Sequence, residues 1–224
     1  MANASTTGFG LRAVMTVGNT PATSGQSEYH IQTAPGVASN KGDPMSFNDG
    51  GATAGEAGMV QDASFTVTDD GGNGGTAWTT ANSALLLGVF NGAFFIDATG
   101  KPTFANNIVA GQTTSADYNT GSDDITAFII DNPNQEYVVK ADAALAQTLL
   151  GVNPLQGFNT NNYTATANLS GQSITTLDVG SAAVTAMFTA VRLANDPENK
   201  DLTVAGSNWV VVTSPASSLW NSTN

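Results

Sequence analysis

Apolar residues in this chain come in short runs, among them Leu85–Phe90, Ala93–Ile96, Ile125–Ile130 and Val210–Val212, and each is cut off by glycine, asparagine, aspartate or another polar residue. Runs of that length suit strands, because a helix needs roughly ten residues or more to bury one face. The residues between them agree with this. Twenty-four glycines and abundant Thr, Ser and Asn supply both pleated-surface positions and the positive φ that tight turns require. The expectation is an all-β chain, mainly antiparallel, closed as a β-barrel or a β-sandwich, with one short helix and extended terminal arms.

Residues Glu28–Gln32 alternate as a half-buried strand, and 58–67, with Met59, Val60, Phe65 and Val67, reads as another. Asn91-Gly92 lies between two apolar runs and predicts a central hairpin, since a type I′ turn needs positive φ at both middle positions. Ile125–Ile130 and Gln135–Lys140 predict a second strand pair around the turn-forming Asp131-Asn132-Pro133-Asn134. Further strands are expected at Ser173–Val179, Met187–Leu193 and Asn208–Thr213. A helix of about two turns is expected over Asp142–Gly151, with Asp142 as N-cap, Leu145 and Leu149 four apart, and Gly151 as terminator.

Three regions follow. Residues 1–27 read as an N-terminal arm, broken by Gly8, Gly10, Gly18, Pro21 and Gly25, with one apolar stretch, Leu11–Val17; it is either a frayed terminus or an arm that becomes ordered by lying on a neighbouring subunit. Residues 28–213 form the β-rich body. Residues 214–224 form a polar C-terminal tail in which Leu219 and Trp220 are costly to leave in water and so dock on a partner.

Charge narrows the partners. Eighteen acidic residues stand against six basic ones, giving −12, and Arg12, Lys41, Lys101, Lys140, Arg192 and Lys200 are scattered singly. Nucleic acid binding needs clustered cations to displace counterions, so no nucleic-acid partner is expected, and an anionic membrane surface is disfavoured in the same way. No apolar run approaches the roughly 20 residues of a membrane helix. The first ten residues lack a basic stretch followed by an apolar one, so no secretory signal is expected and synthesis is placed in a cytoplasm. With no cysteine, disulfides and thiolate chemistry are excluded.

Searching for chemistry gives little. His30 is the sole histidine and alternates within a strand, which reads as a surface or interface position rather than a general base. Gly8-Phe9-Gly10-Leu11-Arg12-Ala13 fits a loose dinucleotide fingerprint, but no strand can precede it within a βαβ unit. Asp69-Asp70-Gly71-Gly72-Asn73-Gly74 opens like a calcium loop and then lacks the twelfth-position carboxylate, where Thr80 stands. Trp78, Trp209 and Trp220, with Tyr29, Tyr118, Tyr137 and Tyr163, offer material for a sugar platform, although core packing suits most of them better, Trp209 above all. The residues name no catalytic, cofactor or metal site, and the chain is read as not an enzyme.

The stretches Thr7–Asn19 (TGFGLRAVMTVGN), Gly88–Phe95 (GVFNGAFF), Asp131–Val139 (DNPNQEYVV) and Val191–Asn199 (VRLANDPEN) resemble virion structural proteins of marine tailed phages, similar to capsid decoration or cement proteins. The resemblance implies a β body bound to the outer face of a capsid, with the major capsid protein as partner and a trimer or dimer on the lattice. Within that reading Phe9, Leu11, Val14 and Met15 pack on capsid or sister subunits, Arg12 pairs with a capsid carboxylate, and Leu219 and Trp220 dock from the tail. A carbohydrate-binding or adhesin module and a tail or baseplate component are the alternatives.

Overall fold

A computed structural model describes residues 8–17, 20–21, 25–31, 38–47, 60–62, 86–112, 114, 125–150, 157–161, 171–183, 188–195, 199 and 208–213. Fifteen strands are described: β1 (Arg12–Thr16), β2 (Thr20–Pro21), β3 (Ser27–Ile31), β4 (Ser39–Asn40), β5 (Pro44–Phe47), β6 (Val60–Asp62), β7 (Leu86–Ile96), β8 (Pro102–Ala105), β9 (Asn107–Ile108), β10 (Ile125–Ile130), β11 (Gln135–Lys140), β12 (Gly157–Asn161), β13 (Thr176–Ala183), β14 (Thr189–Leu193) and β15 (Trp209–Thr213). All pairings between them are antiparallel. The first sheet runs β14-β15-β11-β1-β2, and the second runs β3-β10-β7-β5-β6 with β8 also paired to β7. The fold is all-β and sandwich-like, as the short apolar runs predict.

One hydrophobic cluster joins the two sheets. Tyr137 and Val139 of β11, Val210 and Val212 of β15 and Ala190 of β14 meet Leu86 and Val89 of β7 and Ile130 of β10, with Leu11, Leu145, Leu177 and Phe188 filling the same layer. A second cluster lies on the opposite face of the second sheet, where Phe90, Ala93, Phe95, Ala127, Ile129 and Ile31 pack with Met45 and Ile108. Residues 86–90 of β7 are therefore buried on both faces, which explains why their sequence is an unbroken apolar run rather than an alternation.

The hairpin expected at Asn91-Gly92 does not form. β7 passes straight through it, because both edges of this long strand are already paired: residues 89–94 with β10, 86–89 with β5, and 93–96 with β8. Folding the two runs onto each other would strip those partners. The Asn-Gly pair instead makes a bulge, with Gly92 opposite Phe128, Phe90 opposite Ile129, and Gly92 at φ +146°.

The bend at Asp131–Asn134 is present, held by Gln135 N–H donating to the Asn132 carbonyl at 3.0 Å and Asn134 N–H to Asn132 Oδ1 at 3.0 Å. The strands it joins do not pair with each other as expected. β10 belongs to the second sheet and β11 to the first, so the turn is the step between layers.

In place of the two-turn helix expected over Asp142–Gly151, residues 142–150 carry a single 3-10 turn, Gln147–Leu149, and Gly151 lies outside the described residues. The backbone that would begin the helix is committed elsewhere: Ala141 N–H donates to the Asn208 carbonyl at 2.8 Å and Asp142 N–H to the Leu177 carbonyl at 3.0 Å. Asp142 Oδ1 accepts the Val179 N–H at 3.0 Å, and the position capping the 3-10 turn is Ala146, with no side-chain cap bond. Leu145 is still fully buried, so the leucine spacing reports core packing without a helix.

Candidate functional site

Residues 8–17 are part of the sandwich. β1 pairs with β11 on one side and β2 on the other, and Leu11 is buried in the cluster between the sheets. This corrects the expectation that Leu11 contacts capsid or a sister subunit. A leucine in this chain's own core is worth about 2–5 kcal/mol against alanine and is not available to a partner.

The Gly8-Phe9-Gly10 motif gains a structural explanation in place of a cofactor turn. A side-chain carbon at Gly8 would lie 2.0 Å from the Ile174 carbonyl oxygen. Gly10, at φ +73°, would bring one 2.5 Å from Ser173 Cβ. Leu11 N–H donates to the Gly42 carbonyl at 2.9 Å and Gly10 N–H to the Thr175 carbonyl at 3.1 Å. Three chain segments meet here, and glycine is what lets their backbones approach.

Asp43 sits at the centre of that junction. Its Oδ2 accepts the Asn40 backbone N–H at 2.7 Å, and its Oδ1 accepts the Thr175 hydroxyl at 3.1 Å. Burial pushes its carboxyl above the ordinary range, while these donors and Ser173 pull the other way. The carboxylate ties the Asn40 and Thr175 segments together.

Of the other predicted interface residues, Phe9 is half-buried, meeting Trp209 edge-on at 5.1 Å between ring centroids. The Arg12 guanidinium lies 4.5 Å above the Phe9 ring, a cation–π contact inside this chain. Val14 and Met15 are exposed at 38% and 39%, and Val17 beside them at 57%. A register shift between Ala13 and Met15 turns this part of β1 outward. Leu219, Trp220, Trp78, Tyr118, Tyr163 and the Asp69–Gly74 stretch lie outside the described residues. Tyr137 is in the core, and Tyr29 donates its hydroxyl to Asp131 Oδ2 at 2.7 Å, so neither offers a sugar platform.

A surface that the sequence did not single out lies on the second sheet. Ile130 and Phe128 of β10 share a face by strand alternation; Ile130 is covered by the first sheet, whereas Phe128 lies beyond its reach. Phe94 and Phe104 are direct cross-strand partners with ring centroids 4.7 Å apart. Phe104 and Phe128 are nearly parallel, with planes at 13° and centroids at 6.5 Å. Phe104 is 76% exposed, forgoing most of the roughly 1.5–3 kcal/mol that burying such a side chain brings. Next to it opens a hollow of about 360 Å³ lined by Phe104, Phe128, Gly92, Asn91, Gln26 and Asn106. The strands expected from sequence take in Phe94 and Phe128 but not Phe104, and they do not say which half of a sheet face the opposing sheet covers.

Among the described residues no group of three His, Cys, Asp or Glu side chains converges as metal ligands would. His30 lies on the exposed face of β3 opposite Thr126. Comparison with models of protein families, with curated protein sequences and with solved structures gave no match.

Proposed function

We propose that the chain is a structural virion protein, a decoration or cement subunit that binds the outer face of a tailed-phage capsid and stabilises it. The observation that supports this reading best is the exposed strip of Val14 and Met15 on β1 and Val17 just after it, on backbone hydrogen-bonded into the body of the fold. A rigid strip docks without the entropy cost of ordering a loose arm. Many such subunits on a lattice add avidity if neighbours also touch, as in a trimer or dimer. The sequence resemblance supplies the partner, the major capsid protein, and the location, the outer shell of the particle.

Mass spectrometry and electron cryo-microscopy of purified particles test the proposal. The expected result is density for this sandwich outside the capsomers, in hundreds of copies per particle. Tens of copies at the tail would replace it with the tail or baseplate reading. Absence from the shell, or turnover of a substrate by the purified chain, would overturn it.

A further inference from the structure

We infer that the hollow beside Phe104 is a binding site for a neutral sugar ring, with Phe104 as its stacking platform. The inference stands apart from the capsid reading, because it concerns a different surface and is tested on the isolated chain.

A pyranose ring is amphipathic: its C–H face is apolar, and its rim carries hydroxyls that each donate and accept. A site for it needs a flat apolar surface set beside short polar groups of both kinds. Phe104 supplies the surface. It is held between Phe94 and Phe128 while its outer face remains open.

The rim supplies the polar groups. Asn91 Nδ2 donates to Gln26 Oε1 at 2.7 Å, which fixes both amides and uses one donor and one acceptor. An acceptor on Asn91 and a donor on Gln26 remain, and Asn106 adds a third amide at the rim. Gly92, opposite Phe128, also lines the hollow, and a side-chain carbon there would lie 3.1 Å from the Ala105 carbonyl oxygen.

Charge selects among sugars. Among the described residues lining the hollow none is ionisable, in a chain of net charge −12. An anionic sugar would meet no cation and would be repelled by the surrounding field, so the ligand is neutral. The volume, near the lower end of the roughly 300–1,000 Å³ usual for small-molecule sites, fits one or two rings.

The test is an NMR titration of the full chain, labelled with nitrogen-15, against the methyl glycosides of glucose, galactose, mannose and N-acetylglucosamine, with N-acetylneuraminic acid as the anionic control. A single ring on one platform binds in the millimolar range, so concentrations of about 50 mM are needed. At least one neutral glycoside should shift the side-chain amide signals of Asn91, Gln26 and Asn106, and F104A should weaken that binding by about tenfold without lowering Tm. Phe104 is too exposed for its loss to threaten folding, and F128A serves as the second variant. No shift with any neutral glycoside overturns the inference, as does binding that both variants leave unchanged or equal binding of the anionic sugar. If glycosides fail to bind while F104A abolishes self-association or attachment to shells, the face is a protein-docking surface instead.

Discussion

The hydroxyl of Tyr137, on β11 of one sheet, donates a hydrogen bond of 3.0 Å to the carbonyl of Ile130, the last residue of β10 in the other. The two residues lie on either side of the turn that carries the chain between layers, so this bond ties the layers together at that step. Burial and the nearby Asp131 push the hydroxyl above its ordinary pKa, which favours the protonated, donating form. Y137F keeps the ring and removes the bond. It should cost about 1–2 kcal/mol, read as a lower urea midpoint with an unchanged slope. An unchanged midpoint would show that the turn alone sets the layer step.

The glycine junction under β1 gives a second test. G8A would place a methyl group against the Ile174 carbonyl, and G88A would place one 2.3 Å from the Ile130 carbonyl oxygen. Each should destabilise the fold by about 1–3 kcal/mol or more, because neighbouring backbone cannot yield cheaply. G25A is the control: it meets nothing within 4 Å and should change stability by less than about 1 kcal/mol. Thermal unfolding of the three variants checks the ranking, and equal effects would refute the close-approach account.

Strand existence was legible in the sequence, but strand partnership was not. Ile125–Ile130 and Gln135–Lys140 are found at the expected bounds, because a run's length and apolar content are local properties. Whether β10 and β11 pair with each other depends on what else competes for their edges; β3 and β7 take β10, while β1 and β15 take β11. The same competition defeated the Asn91-Gly92 hairpin and the Asp142 cap, two correct local signals overruled by long-range hydrogen bonds. The aromatic hollow was illegible for a related reason. Phe94 and Phe128 fall within apolar runs expected as strands, but the run pattern does not say that they stay half-buried beside an exposed Phe104.

Asp43 makes stability depend on pH in a specific direction. Burial raises its folded-state pKa above the unfolded value of 3.8, so the native state holds the proton more tightly than the unfolded chain does. Its contribution to stability is therefore fully present below the unfolded pKa and is lost as pH rises through the folded one. D43N preserves the shape without the titration, and its amide can meet the hydroxyls of Ser173 and Thr175. The stability of the wild type relative to D43N should fall as pH rises from about 3.8, which urea unfolding at a series of pH values measures directly. A constant difference across the series would mean that hydrogen bonds offset the desolvation completely.

The exposed strip on β1 carries the prediction most closely tied to attachment. M15D and V14D each put a charge where the proposed contact is apolar, and both positions face solvent in the isolated chain, so Tm should move little. Burying the new carboxylate against a capsid without a partner would cost several kcal/mol per site, enough to reduce occupancy by about tenfold or more even on a multivalent lattice. Truncating residues 1–25 is not an equivalent experiment, because it removes β1 from its sheet and Leu11 from the core, and loss of binding would then report unfolding. The point variants separate the two effects. Mixing each with shells stripped of the protein and measuring bound copies by sedimentation should show weak decoration by stable subunits; full decoration by M15D and V14D alike would move the attachment surface elsewhere on the sandwich.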